Sequence, residues 1–452
     1  MTSVPSFPSL EDYVRHYAAA VPSRPAAEHN GTVITYSSLW QAVERRAEEL
    51  RAAGVRAGSL YPFLTEQNTD FLVTYLAVHA VGAAAVPLGH ELPAAEYDAV
   101  SAVCRRAVLP HAVDDGENIA DVLFTTGSTG QRKGVMTSMR ALLGDADNLI
   151  CGQGFSADTV FVVCGPLNHI GSLSKVWPVL MTGGTLRILD GLKDMNALFR
   201  AFDGKRPVAT FLVPAAIRLL LRAGGVSLRR ISGCTDFIET GGAAVSQSDM
   251  EAMCDAFPSS RLYNTYASTE TGIVTTYDYN HNPCVSGCLG RALRHSSFAV
   301  LSDGRLTCSG DTVMSGYLDD TEGITAQVLR GGTVYTSDLA QTDSLGQLHL
   351  TGRAGDVINI GGYKVSPTEV EEAALAAGGV GDCICAPFRS PLFGDTIKLW
   401  YVADASVTKQ QLARWLAARL EGYKVPRVFE QVDEIKHLFN GKPDRKYYNQ
   451  QK

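Results

Sequence analysis

Three stretches, DTVFVVCGPL (158–167), GGTLRIL (183–189) and VATFLVP (208–214), are almost wholly apolar, and each runs into helix-like sequence. A strand with one wet face alternates polar and apolar residues, so runs that are apolar throughout need cover on both faces. Helices between them supply both the cover and the crossovers of a parallel sheet, which makes the chain an α/β protein. The first third repeats the pattern. The β-branched run GTVITY (31–36) precedes SLWQAVERRAEELRAAG (38–54), which is apolar at helical spacing, with Gly54 where a C-cap is expected. FLVTYLAVHAVGAAAVPL (71–88) approaches membrane-spanning length, but its histidine, glycine and proline make it a buried helix running into a strand, and no membrane span is expected.

From about residue 285 the texture changes. SSFAVLSDGRLTCSG (296–310) and GGTVYTSDLAQTDSLGQLHLTGR (331–353) alternate short strands with SDG and DSLG turns, the pattern of antiparallel hairpins. A last unit, residues 356–452, returns to mixed helix and strand, and the break near GRAGD is a candidate hinge. A net charge of −7 with no dense Lys/Arg run argues against a nucleic-acid partner. The N-terminus has no basic segment leading into an apolar core, so a cytoplasmic protein is expected. Ten cysteines are scattered without a CxxC pair; Cys284 and Cys288 could be half of a metal site, but no second half follows, and buried reduced thiols are the better reading.

FTTGSTGQRKG (124–134) carries the first chemical signal: a strand-like start, then glycines and hydroxyl residues, then a basic pair. Such a loop can offer backbone N–H groups and hydroxyls to phosphate oxygens. It is not a P-loop, because Arg132 stands where the second glycine of GxxxxGK[ST] must be, and Lys133 is followed by Gly134. No Rossmann GxGxxG fingerprint is present either. By itself the stretch fits a phosphate loop or a surface turn.

Its company decides. DVLFTTGSTGQRKGV resembles the phosphate-loop motif of the adenylate-forming enzymes, the superfamily of acyl- and aryl-CoA synthetases, nonribosomal adenylation domains and luciferases. GPLNHIGS (165–172), ETGGAA (239–244), NTYASTETG (264–272), VYTSDLA (334–340), GRAGDVINIGGYKVSPTEVE (352–371) and NGKPDRK (440–446) are similar to further motifs of that family, in its order. The resemblance implies a large N-terminal domain, residues 1–354, with two sheet-and-helix subdomains and a small β-barrel-like part. It also implies a small mobile α+β domain, residues 355–452. The implied reaction is ATP-dependent activation of a carboxylic acid to an acyl-adenylate with loss of pyrophosphate, then transfer to the thiol of coenzyme A. The alternative acceptor is a separate phosphopantetheinyl carrier protein.

The resemblance also assigns roles. Thr125, Thr126, Gly127, Ser128, Thr129, Gly130 and Lys133 would cradle the β- and γ-phosphates. Gly241, Gly242 and Ala243 would border the nucleotide, with Tyr266 stacking on adenine and Asn264 bonding its exocyclic amine. Thr269 would touch the α-phosphate and Glu270 would hold Mg²⁺. Asp338 would accept both ribose hydroxyls, with Arg353 assisting; their positions flanking a hairpin also fit a plain salt bridge. Lys442 would swing in as a mobile cation, Asp356 would be the hinge acid, and Gly361, Gly362 and Tyr363 would line a pantetheine tunnel. His169, Ser172, Val213, Gly241, Gly242 and Ala267 would border the acid.

The sequence departs from the family pattern at Arg132 for proline, Ala267 and Ser337 for glycine, and Gly355 for an acid, and the segment from Leu88 to Asp121 looks contracted. Arg132 is expected to face solvent. GPLNHIGS lacks the aspartate that amino-acid-activating members use, which favours an acid without an α-amino group.

Overall fold

A computed structural model describes residues 5–107, 109, 118–126, 132–202, 207–360, 363–390, 394–438 and 442–451. The three apolar runs become strands Val160–Val163, Thr185–Ile188 and Val208–Phe211, paired in parallel at the centre of an eight-stranded sheet. Thr235–Gly241 and Arg261–Ser268 continue the parallel set, and Gly272–Asp278 closes that edge antiparallel. At the other edge lies the hairpin Pro25–His29 with Thr32–Thr35.

Each central strand is dry because both faces are covered. On one side, helices Met195–Ala201, Pro214–Ala223 and Gln247–Ala256 bring Leu198, Phe199, Ile217, Leu220, Met250 and Met253 against Val160, Val162 and Ile238. On the other, helices Leu10–Ala20, Tyr36–Ala52, Thr69–Val81, Met139–Gln153 and Ile170–Thr182 pack on Phe161, Phe237 and Tyr263. The apolar stretch 71–88 divides as expected, into the buried helix Thr69–Val81 and the strand Ala84–Gly89, broken at Gly82 in the left-handed conformation that glycine favours. Tyr36–Ala52 likewise ends at the C-cap Ala53 with Gly54, at φ +94°, next.

That second helix layer is shared. Its far side packs on a five-stranded sheet in which Leu60–Thr65, Ala84–Gly89 and Ile119–Thr126 run parallel and Arg132–Ser138 and Gly316–Tyr317 antiparallel. The sequence from 288 to 353 forms a six-stranded antiparallel sheet that includes both expected hairpins. Residues from Ile358 gather round a separate core of Val365, Val370, Cys385, Ile397, Leu399, Leu412 and Leu416. No helix among the described residues is long and apolar enough to cross a membrane.

One polar chain runs through the shared layer. Trp177 Nε1 donates to the Tyr75 hydroxyl at 2.9 Å, which donates to Asp121 Oδ2 at 2.7 Å. Asp121 Oδ1 lies 3.0 Å from His79 Nε2. Tyr75 and His79 sit one turn apart on Thr69–Val81, so both reach one carboxylate. Burial opposes a charged His79, but Asp121 outweighs it and raises the imidazole pKa. The chain ties the strand that leads into the phosphate-loop motif to the helix that begins at His169.

Asp121→Ala removes the partner of two buried groups and is expected to cost about 3–5 kcal/mol, read as a lowered urea midpoint. Tyr75→Phe leaves the His79–Asp121 contact but strips the buried Trp177 N–H and Asp121 Oδ2 of their partner, and should cost about 1–3 kcal/mol.

Candidate functional site

Arg261–Ser268 and Gly272–Asp278, at one edge of the large sheet, pack on the antiparallel sheet, and several of the motif residues collect there. Asn264 and Tyr266 lie two apart on Arg261–Ser268 and so share a face. Asn264 Nδ2 donates to the Cys288 carbonyl at 3.1 Å. The Tyr266 ring is buried among Leu306, Cys308, Ala340 and Leu348, and its hydroxyl donates to Asp338 Oδ2 at 2.7 Å. Burial and the neighbouring Asp338 carboxylate both push the phenol pKa far up, so it remains a donor. Asp338 pairs in register with Arg353, whose Nε donates to Oδ1 at 2.7 Å. Each oxygen of this buried carboxylate is therefore held by a separate donor.

At the phosphate-loop motif, Thr125 stands opposite Lys133, and Thr126 opposite Arg132, across two antiparallel strands. Gly127, Ser128, Thr129 and Gly130 lie outside the described residues. The Lys133 ammonium sits 5.2 Å from the centroid of the Tyr317 ring, and the Tyr317 hydroxyl donates to Glu270 Oε1 at 3.2 Å. Thr269 stands in the turn between Ser268 and Thr271, whose hydroxyls bind each other and the turn's backbone. Arg132 is exposed, as expected, and also pairs with Glu96 at 2.9 Å.

Lys442 comes from the far end of the chain. Burial and Arg353 lower its pKa, while Asp338 and Glu270 act in the opposite direction, so one ammonium feels residues of three separate motifs. Its Cε lies 3.6 Å from where a Cβ on Gly242 would stand, and Gly242 has φ +78°; a side chain there would be strained and would crowd the lysine. Ala243 follows, half-buried.

Two clusters that sequence reasoning did not anticipate hold Lys442 in place. Arg445 grips Glu371 with Nη1 at 2.8 Å and Nη2 at 2.5 Å, donates to the Cys385 carbonyl, and lies 3.4 Å from Asp356. The expected hinge acid is thus clasped by the terminal motif. Arg218, on Pro214–Ala223, spans Asp249 at 3.0 Å and Asp382 at 3.3 Å, and Asp382 also faces His437 at 3.4 Å, near the hairpin that carries Lys442. The periodic sequence around Arg218 offered no sign of this long-range contact.

His169 is the N-cap of Ile170–Thr182. Burial, then Lys442 and Arg132, hold its pKa down to about 4, so it is neutral at pH 7. Ser172 Oγ lies against the backbone of Gly165, where a side chain would collide with it. Val213 caps Pro214–Ala223, and Gly241 ends its strand beside the Thr265 carbonyl and the Phe211 ring. Ala267 is half-buried against the main core. Gly361 and Gly362 lie outside the described residues; Tyr363 is 57% exposed and stacks on Tyr423 at 4.5 Å. Cys284 and Cys288 face different neighbours, Gln247 and Gln347, and the described residues contain no group of three or more ligands suited to a metal ion.

The family model described as AMP-binding enzyme matches residues 14–113 and 98–318. A feruloyl-CoA synthase from an Amycolatopsis species is 30% identical over 93% of this chain and 94% of its own. A 2-succinylbenzoate–CoA ligase of Staphylococcus aureus is 28% identical over 73% of this chain and 66% of its own. ATP-bound MatB from Rhodopseudomonas palustris shares the fold, with a TM-score of 0.85 at 23% identity over 98% of this chain and 99% of that one. The chain belongs to the AMP-binding enzymes of the adenylate-forming superfamily. Within it, the chain is an AMP-forming ligase of the acyl- or aryl-CoA synthetase type.

His169 makes the site a source of pH dependence. Its folded pKa, about 4, lies below the ordinary 6.5, so between these values the unfolded chain binds more protons and stability rises with pH. The contribution is complete above about pH 6.5 and lost as pH falls toward 4; His169→Asn should flatten that part of the stability profile in urea titrations.

Proposed function

We propose that the enzyme activates a small carboxylic acid with ATP and passes the acyl group to coenzyme A. The observation that carries this reading is the convergence of Lys442 with Asp338, Arg353 and Glu270, a cation near the end of the chain brought beside two acids and an arginine from three earlier motifs. A carboxylate is a weak nucleophile facing a polyanion, so the protein's task is to align the two and neutralise charge as the new bond forms.

In this reading Thr125, Thr126, Ser128, Thr129 and Lys133, with the backbone of Gly127 and Gly130, hold the terminal phosphates. Asp338, its oxygens oriented by Tyr266 and Arg353, accepts the ribose hydroxyls. The buried Tyr266 then acts chiefly through its hydroxyl, beside whatever ring face meets adenine, and Asn264 faces the base edge. The acid lies between His169 and the backbone of Gly241 and Gly242, near Ser172, Val213 and Ala267. One carboxylate oxygen attacks the α-phosphorus, the bond to the pyrophosphate oxygen breaks, and Lys442 with Thr269 steadies the charge on the α-phosphate. His169, neutral, closes the acid site without competing for the carboxylate's charge.

Glu270 has one oxygen bound by Tyr317 and, among the described residues, no hydrogen bond to the other, and a single carboxylate beside a polyphosphate suits Mg²⁺, which keeps waters and phosphate oxygens as its other ligands. Bound there, Mg²⁺ would neutralise phosphate charge.

The division at residues 354 and 355 then has a purpose. Lys442 occupies the site only when the C-terminal domain is docked; release of the Asp382–Arg218 contact lets that domain turn and bring Gly361, Gly362 and Tyr363 to the adenylate for attack by the thiol, while Arg445 with Glu371 and Asp356 moves as part of it. The chemistry of the assigned relatives supports coenzyme A as the acceptor.

Pyrophosphate exchange over a panel of carboxylic acids is expected to find a substrate, and Lys442→Ala should lower that rate about 10²–10³-fold; an unchanged rate would overturn the mechanism. Asp382→Ala should slow pyrophosphate exchange more than it slows thioester formation from the isolated acyl-adenylate, measured separately by single turnover.

A further inference from the structure

Beneath the glycines that border the acid lies an ion pair outside the nucleotide machinery. Lys175 Nζ donates to Glu239 Oε1 at 2.7 Å, and both side chains are 1% exposed. Lys175 is the one charge in the apolar helix Ile170–Thr182, and Glu239 sits two residues before Gly241 on Thr235–Gly241, so its side chain is on the same face of the sheet as the pocket glycine. Two residues of strand separate it from Gly241 by about 7 Å, roughly the length of an aromatic ring. Phe211 joins the two places: a Cβ at Gly241 would stand 3.7 Å from one edge of its ring and a Cβ at Gly171 3.1 Å from another, and the Lys175 ammonium lies 5.4 Å from its centroid.

The pair is incomplete. Glu239 Oε2 is fully buried with no hydrogen-bond partner, and Glu239 Oε1 is the single hydrogen-bond acceptor for the Lys175 ammonium among the described residues. The nearby acid Asp145 does not finish it; its carboxylate binds the Ile273 N–H at 2.6 Å, and burial raises its pKa to about 8. A buried carboxylate oxygen left unpaired is costly, so in the working enzyme it has a donor.

We propose that Lys175 and Glu239 form a specificity site for a hydroxyl group at the far end of the substrate acid, the hydroxyl donating to Glu239 Oε2 and accepting from Lys175. This rests on the acid-activation reading above and narrows its substrate class to hydroxylated acids, with an aryl ring lying along Phe211. An adjacent acceptor and donor match a hydroxyl, which is both. A second carboxylate would face Glu239 and an ammonium would face Lys175, so diacids and amino acids are disfavoured by like charge. A methyl group would leave Oε2 unpaired, and sites built to bond a hydroxyl reject analogues that lack it far more strongly than apolar pockets discriminate by size.

The test is pyrophosphate exchange by the full-length enzyme with benzoic and cinnamic acids carrying a 4-hydroxyl, 4-methyl, 4-carboxyl, 4-aminomethyl or no substituent. The 4-hydroxy acid of at least one series should show kcat/KM at least about a hundredfold above its unsubstituted and methyl analogues. In the double variant Lys175→Met, Glu239→Leu, which replaces the pair by apolar groups, that ratio should invert in favour of the methyl acid. Equal use of hydroxylated and unsubstituted acids by the unaltered enzyme, or preference for a diacid, overturns the hydroxyl site while leaving acid activation standing. Failure of every acid, including straight-chain ones, would overturn the acid-activation reading as well.

Discussion

A cation brought into a half-buried crevice is unstable unless negative charge faces it, and the architecture around Lys442 is organised to satisfy that condition. Burial and Arg353 work against the ammonium; Asp338 and Glu270 work for it. Asp338 can serve only because Tyr266 and Arg353 hold its two oxygens, and Glu270 only because Tyr317 orients one of its own. An incoming polyphosphate would tilt this balance further toward the charged lysine, which couples nucleotide binding to the seating of the C-terminal residues.

The contacts that seat those residues are themselves charged and lie on separate segments. Arg445 reaches back to Glu371 and Asp356, and Arg218 reaches forward from Pro214–Ala223 to Asp382. The Arg218–Asp382 pair, between segments on either side of the 354/355 division, is suited to being made and broken, whereas the Arg445 clasp stays within residues 356–445 and the fully buried Trp177–Tyr75–Asp121 chain within the helix layer is suited to permanence.

Much of this was legible in the chain. The apolar runs at 158–214 specified doubly covered parallel strands, the SDG and DSLG turns specified hairpins, and the flanking positions of Asp338 and Arg353 foretold their pairing, because these depend on local periodicity and turn chemistry. The ordered motifs resembling the adenylate-forming enzymes brought most of the candidate residues to notice. Lys175 and Glu239 drew no reading from the sequence, although a lysine inside IGSLSKVWPVLMT and an acid at the head of ETGGAA conflict with apolar surroundings, and such conflict is a sign of a buried partner. The partner's identity was hidden, since the two lie 64 residues apart.

What the sequence determined by itself was therefore the class of layers and the direction of the strands, which follow from spacing along the chain, together with a set of candidate site residues drawn from the family resemblance. The tertiary structure alone decided which charges meet. It joined Lys442 to Asp338 and Glu270, put Arg218 on Asp382, and left Glu239 Oε2 without a donor, because electrostatic and hydrogen-bond energies depend on separations of a few ångströms between residues whose distance in sequence carries no such information.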